Sequence, residues 1–408
     1  MAGPSTPFET NGGTAFTTYA QGEAFLDAVV AGSAMARKYT LGLTQQGRPI
    51  SAVVIGSPAA PSLGSINSCI LVVASQHGNE ETPREAAFQF LRDLAFNAAP
   101  GDLSKLAILP MIVIPTANPD GFVAGTRQNG NGVDLNRDHL ALTQSETKVI
   151  ASILSSKSPI FVLDGHEATV ASYQVNGGYY ATGASSFIKT FATGIATQMT
   201  TLFPDFTYGP YDTTDNEGTL QSSSTLRGST FLLVETLEGQ TDLIKVEQHY
   251  RSMYGMFRYI VDNHSAAEAA SQGAKGDYRV QGYEGYEPWY GYEAKTIPGR
   301  LGYSFGDATK IDQLQLLGVS IHWGSDVDEG FYVSMDQVAA PILALIMDPA
   351  APRRLIQADP VGPQFGFAEG TPRNLGLPAA QVSLAGGIYS VRRVVAQIGG
   401  QRLVLMGK

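Results

Sequence analysis

"CILVVASQHGNEETPREAAFQFLRDLA", residues 69–95, decides how the chain is read. It opens as a β-branched apolar run of strand length, Cys69 to Ser75, and continues into a segment with helical spacing of apolar residues over about 83–97. Thr82, Pro83 and Glu85 supply an N-cap, an N1 proline and the carboxylate of a capping box, so the helix is expected to start there. Between the two elements, His77 and Glu80 stand three residues apart in a short loop. Open α/β sheets place their sites outside the carboxyl ends of the strands, which is where this loop falls.

The same texture extends outward on both sides. Strands are expected at "SAVVIG" (51–56), "LAILPMIVIP" (106–115), "IFVLD" (160–164) and "TFLLVET" (230–236), and helices near 20–36, 144–156, 184–200 and 242–263. Alternation of the two kinds through residue 265 predicts an α/β layer architecture: a mixed, largely parallel twisted sheet with helices on both faces. Past "AAEAASQGAKG" (266–276) the pattern changes, and this stretch reads as a boundary. The expected domains are a catalytic unit over 1–265 and a smaller α/β or β-rich unit over 276–408. Within the latter, "GGIYSVRRVVAQIGGQRLVLMG" (386–407) reads as two strands joined by a Gly-Gly turn, and the aromatic "YEGYEPWYGYE" (283–293) as strands packed over a domain junction.

Composition narrows the function classes. The chain has 408 residues and a formal net charge of -10, and it lacks the Lys and Arg clusters that phosphate binding needs, so nucleic acid is not an expected partner. The single cysteine, Cys69, lies in an apolar strand and excludes an intramolecular disulfide. No apolar run reaches the roughly 18 to 20 residues of a membrane span. The N-terminus has no signal-peptide pattern, while low charge with much Gly, Ser and Thr leans toward a periplasmic or extracellular location.

Four stretches deliver polar groups to one predicted sheet edge: His77 after 69–75, Asn118 to Gly121 after 106–115, His166 after 160–164, and Glu235 closing 230–236. Zinc catalysis typically draws three ligands from His, Asp and Glu and leaves a position for water, and His77, Glu80 and His166 meet that count.

Taken together and in order, "HGNE" (77–80), "NPDG" (118–121), "DLNRD" (134–138), "DGH" (164–166) and "VET" (234–236) resemble the zinc carboxypeptidases of the M14 metallopeptidase family, as does "GLTQQGRPISAVVIG" (42–56) as a first strand pair. The resemblance covers about residues 15–265. It implies a zinc carboxypeptidase-like fold and one zinc ion per chain on His77, Glu80 and His166. It implies Glu235 as the general base, with Glu238 the competing choice, and Arg127 as the group that steadies the oxyanion. Asn136 and Arg137 would clamp the free C-terminal carboxylate of a peptide substrate, and Asp134 would accept the second ring N–H of His77. Tyr208 and Tyr211 are candidates for a tyrosine that caps the substrate, and Arg227 for a further carboxylate contact. Asp164 either faces His166 or serves a turn. His139 reads as structural, with a place near the carboxylate site left open, and His249 and His264 read as surface or interface residues.

The function implied is a zinc-dependent carboxypeptidase that hydrolyses C-terminal residues from peptides by a metal-activated water. Two alternatives share the ligand pattern: an amidohydrolase of the desuccinylase or aspartoacylase type acting on small N-acyl amino acids, and a carboxypeptidase acting on peptidoglycan peptides. An inactive binding module would lack a ligand or the base, and neither is missing from the sequence.

Overall fold

The strands that read as unbroken apolar runs do so because both of their faces are covered. In the computed structural model, which describes residues 3–168, 175–178, 184–204, 206–209, 218–284, 286–287, 292–293, 300–305, 311–323, 331–334, 337–347, 371–374, 394–398 and 401–405, eight strands form one sheet. They are β1 (Ala36–Leu43), β2 (Pro49–Ile55), β3 (Ile70–Ala74), β4 (Met111–Ile114), β5 (Phe161–Ala168), β6 (Val175–Gly178), β7 (Thr207–Gly209) and β8 (Thr230–Leu237), in the order β1-β2-β4-β3-β5-β8-β6-β7. The centre, β4-β3-β5-β8, is parallel. β1 pairs antiparallel with β2, β2 with β4, and β6 with β8. The sheet is therefore mixed and largely parallel, as expected.

Strand parity sorts the core into two layers, because successive side chains leave opposite faces. Ile70, Val72 and Ala74 of β3 join Met111, Val113, Phe161, Leu163, Leu232 and Val234 on one face. Helices α2 (Tyr19–Gly32), α3 (Thr82–Phe96), α7 (Ser186–Leu202) and α9 (Asp242–Asp262) cover it with Phe25, Phe90, Ile195 and Phe257. Leu71 and Val73 join Ile112, Ile114, Val162, Phe231 and Leu233 on the other face, under α6 (Ser145–Lys157) and α8 (Leu220–Thr225). Asp164 and His166 share the parity of Val162, and Glu235 that of Phe231 and Leu233. All three thus belong to the α6 and α8 side. The shorter helices α1 (Pro7–Thr10), α4 (Pro100–Leu106) and α5 (Pro119–Ala124) close loops around these layers.

Four local expectations need correction. The strand expected over 106–115 is only Met111–Ile114. Leu106 instead ends α4 and 107–109 form the turn after it, with Leu109 N donating to Lys105 O at 2.9 Å, and Pro110, which has no N–H, precedes the strand. The strand expected to end at Asp164 runs on to Ala168, because β8 continues to pair with it, so His166 lies in β5 and not after it. α3 begins at Thr82 with Glu81 before it and no side-chain cap. Glu85 is fully buried and accepts Thr17 N at 2.6 Å and Thr17 Oγ1 at 3.0 Å, so a distant loop takes the carboxylate that the capping box would have used.

The last correction concerns 266–276. This stretch is helical, inside α10 (His264–Glu284), and Ala267 and Ala270 are part of the large core. Alanine spacing on a helix that packs closely against the body produces a composition that reads as a linker. Further along, α11 (Ile311–Leu316) and α12 (Ala340–Met347) bury Leu314, Ile342 and Leu343 with Leu140, Leu142 and Leu226. The expected terminal hairpin is present as Val394–Ile398 paired antiparallel with Gln401–Leu405. Of 283–293, residues 285 and 288–291 lie outside the described residues; Tyr286–Glu287 pairs antiparallel with Tyr292–Glu293. No helix among the described residues is long and apolar enough to cross a membrane.

Candidate metal centre

The loop after β3 is shaped by a backbone turn and one glycine. Ser75 has φ of 56°, which swings the chain off the end of the strand. Gly78 then lies against the backbone of Gly121, where an added Cβ would come within 1.9 Å of Gly121 C, so no other residue fits. Asn118 ties this loop to its neighbours: its Oδ1 accepts Gly121 N at 2.9 Å and its Nδ2 donates to Gln76 O at 3.0 Å and Arg127 O at 3.4 Å. Asp120 of the same motif latches the turn between β1 and β2, accepting Thr44 Oγ1 at 2.8 Å and Arg48 Nη1 at 2.6 Å. The "NPDG" stretch is thus the joint between three loops and contributes no ligand itself.

His77, Glu80 and His166 converge, their ligand atoms lying within 4.8 Å of one another, and all three are buried. Glu80 Oε1 is 2.7 Å from His77 Nδ1, Glu80 Oε2 is 2.8 Å from His166 Nδ1, and the two Nδ1 atoms are 3.0 Å apart. Each ring turns its other nitrogen to a carboxylate: His77 Nε2 lies 3.1 Å from Asp134 Oδ1, and His166 Nε2 lies 2.9 Å from Asp164 Oδ2. Carboxylates accept, so each Nε2 donates to its partner, and the two Nδ1 atoms and the Glu80 carboxylate meet at one point. Two imidazole nitrogens and a carboxylate converging in a buried space form a donor set that a shared cation would take up. The donor set, two imidazoles and one carboxylate, fits a zinc-type ion.

The electrostatics agree with a site built for positive charge. Burial would raise the Glu80 carboxyl, but His166 and His77 outweigh it and hold Glu80 well below the usual carboxylate range. Asp134 is likewise held low, burial being outweighed by His77 and by Arg127, whose Nε and Nη2 each lie 2.9 Å from Asp134 Oδ2. Glu235 behaves in the opposite way. Burial pushes its carboxyl up to about 7, the His166 ring opposing and Glu80 adding to the shift.

β8 sets Glu235 directly opposite His166 in the parallel ladder. With the trio, Glu235, Arg127, Asn136 and Arg137 line one cleft of about 540 Å³, and Phe231 and Leu233 line it below them. Asn136 and Arg137 lie in a single helical turn after Asp134, which caps it by accepting Asn136 N at 2.9 Å. Arg137 Nη1 donates to Asn136 O at 2.7 Å. Glu238 is exposed at the cleft rim, beyond the end of β8, whereas Glu235 faces inward.

Some candidates are not brought to the cleft. Arg227 is buried and donates to Leu316 O at 2.8 Å, so it holds the packing against α11 and is not a carboxylate contact. His249 is fully buried and not at a surface, its Nε2 lying 3.2 Å from Thr236 Oγ1, and burial lowers its ring to about 3. His264 is half-buried and pairs with Glu268 at 3.5 Å. His139 is buried behind the site. Tyr211 and the side chain of Tyr208 lie outside the described residues. The contact that the sequence did not reveal is Gln76, whose Nε2 donates to Asp164 Oδ2 at 2.7 Å. Its place beside His77 was visible, but nothing local signals a partner 88 residues away.

Comparison with known proteins bears out the resemblance. The zinc carboxypeptidase (M14 peptidase) family model matches residues 22–169. Carboxypeptidase 2 of Trichophyton rubrum is 38% identical over 95 residues, covering 23% of this chain and 17% of that protein, so the match spans about a sixth of the relative's length. Among solved structures, carboxypeptidase A from Helicoverpa armigera aligns with a TM-score of 0.51 and 18% identity over 62% of this chain and 74% of that one. A metallo-carboxypeptidase from Burkholderia cenocepacia aligns with a TM-score of 0.50 and 20% identity over 61% and 70%. The fold is therefore that of the zinc carboxypeptidases, and the structural likeness reaches beyond the 22–169 family match.

Proposed function

We propose that this chain, whose residues 22–169 match the zinc carboxypeptidases, is a zinc-dependent metallocarboxypeptidase that releases C-terminal residues from peptides. The observation that carries the reading is the convergence of His77, Glu80 and His166 beside Glu235 and two arginines in one cleft. One zinc per chain would be held by the trio. When bound, it would lower the pKa of a water and polarise the scissile carbonyl.

The protein's own groups supply the rest. Glu235, in an environment that raises its proton affinity, takes a proton from the water and returns it to the leaving amine. Arg127 is oriented by Asp134 toward the trio, with Nη1 3.4 Å from Glu80 Oε1, where a cation stabilises negative charge developing on the carbonyl oxygen. Asn136 and Arg137 hold the substrate's terminal carboxylate, the planar guanidinium matching it in a two-pronged contact. Tyr208 and Tyr211 stay candidates for capping the bound peptide. The residues beyond α10 serve an accessory role and, among the described ones, add no ligand, the set being complete by Glu235. Sparse charge, 16% Asp, Glu, Lys and Arg, supports a role outside the cytoplasm.

The test pairs metal analysis of the purified protein with digestion of a peptide library read by mass spectrometry. Stoichiometric zinc and stepwise loss of C-terminal residues are expected. Internal cleavage, or hydrolysis confined to small N-acyl amino acids, would refute the assignment.

A further inference from the structure

Behind His166 lies a buried chain of polar side chains that this scheme does not use. Asp164 precedes His166 by two residues on β5, so both leave the same face of the strand. Asp164 Oδ2, 2.9 Å from His166 Nε2, also accepts Gln76 Nε2 at 2.7 Å. Gln76 Oε1 in turn lies 2.6 Å from His139 Nε2. Gln76, His139, Asp164 and His166 are each at most 1% exposed.

The directions along this chain are forced by what each atom can do. A carboxylate only accepts, so Gln76 turns its nitrogen to Asp164 and its oxygen to His139. That oxygen also only accepts, so His139 carries its proton on Nε2; burial lowers its ring to about 4 and keeps it neutral. By the same rule His166 donates from Nε2 to Asp164, and this contact turns Nδ1 to the point where Glu80 and His77 meet it. One contact pulls the other way: Asn136 Nδ2 lies 3.3 Å from His166 Nε2, and it is a donor because Asn136 Oδ1 accepts Leu220 N at 2.9 Å. The Asp164 contact is shorter and charge-assisted, and it prevails.

We infer that Asp164, held in place by Gln76 and His139, is the positioning residue that sets the ring angle of His166, turning its Nδ1 to the metal position. Because Gln76 directly precedes His77, the same loop presents one ligand and braces the other. The inference rests on the metallocarboxypeptidase reading for the identity of the ion.

The experiment measures zinc affinity, by competition with a chromophoric chelator, and melting temperature for wild type, Asp164→Ala, Asp164→Asn and Gln76→Leu. Asp164→Ala should bind zinc about 10- to 100-fold more weakly, the usual cost of losing such a partner. Asp164→Asn keeps an acceptor oxygen and should recover part of the affinity. Gln76→Leu leaves Asp164 and His166 in place, so it gives the answer if the alanine variant does not fold, and its affinity should fall by about threefold or more. Zinc affinity within about twofold of wild type in Asp164→Ala and Gln76→Leu overturns the inference. A lowered melting temperature with unchanged zinc affinity would mark a purely structural role and overturn it too. A wild-type protein that binds zinc and answers to these substitutions, yet cleaves no peptide, would sink the functional reading and leave this inference standing.

Discussion

Replacing Glu235 by glutamine should stabilise the zinc-free protein at alkaline pH while abolishing its chemistry. Burial raises the Glu235 carboxyl from 4.5 to about 7, so the folded protein holds a proton there that the unfolded chain has released between those values. A raised carboxyl contributes stability that is fully present below pH 4.5 and is lost as pH rises through 7. Above that, wild type bears the cost of an ionised, desolvated carboxylate, and Glu235→Gln does not. At about 1.4 kcal/mol per unit, the shift corresponds to about 3 kcal/mol. That is a ceiling, since the residue keeps partial contact with the cleft, and about 2 kcal/mol is the expected gain. Urea unfolding of chelator-treated wild type and Glu235→Gln across pH 4.5 to 8.5 reads this directly. The variant should match wild type at the acid end and exceed it at the alkaline end, and zinc, by lowering the carboxyl's pKa, should shrink the difference. Parallel curves, with no divergence above pH 6, would refute the placement of a protonated carboxyl in this cleft. Turnover of the zinc-loaded variant should fall by about two to four orders of magnitude, the scale of general-base loss.

The double substitution His77→Ala, His166→Ala should leave no stoichiometric zinc by atomic absorption, and full retention would disprove the ligand trio. Free-acid peptides should outrun their C-terminal amides by about a hundredfold, because an amide leaves Arg137 unpaired in the complex at a cost of a few kcal/mol, and Arg137→Ala should collapse that preference. Gly78→Ala, which forces a methyl group into the Gly121 backbone, should cost about 3 kcal/mol or more and weaken zinc binding; a melting temperature equal to wild type would contradict the close approach. Glu85→Ala should destabilise the fold by about 1 to 3 kcal/mol through the stranded Thr17 groups while zinc stoichiometry stays unchanged, as unfolding and metal analysis would show.

The parallel centre of the sheet was legible because β3, β5 and β8 are apolar on both faces, and a run of that kind keeps its meaning without tertiary context. What misled was each place where a distant group took over a local one. Glu85 has the spacing of a capping box, yet Thr17 claims it. Gly165, His166 and Glu167 have no strand propensity, yet pairing with β8 holds them extended. His249 sits on a polar helix and looked external, but the face that carries it turns into the sheet. The trio and Glu235 were readable from residue type and strand ends. Gln76 was not, because an amide announces its partner only when the fold brings one to it.

The ladder between β5 and β8 has an evolutionary consequence. Histidine and base are opposed by register, His166 across from Glu235, so their relation is counted in residues along two strands and not tuned by a loop. Inserting one residue into either strand would turn the side chain to the opposite layer of the core. Inserting two would restore the face but shift it by about 6.6 Å along the strand, out of line with the metal ligands. Length variation in descendants of this chain is therefore confined to the connections, and the pair itself can change by substitution only.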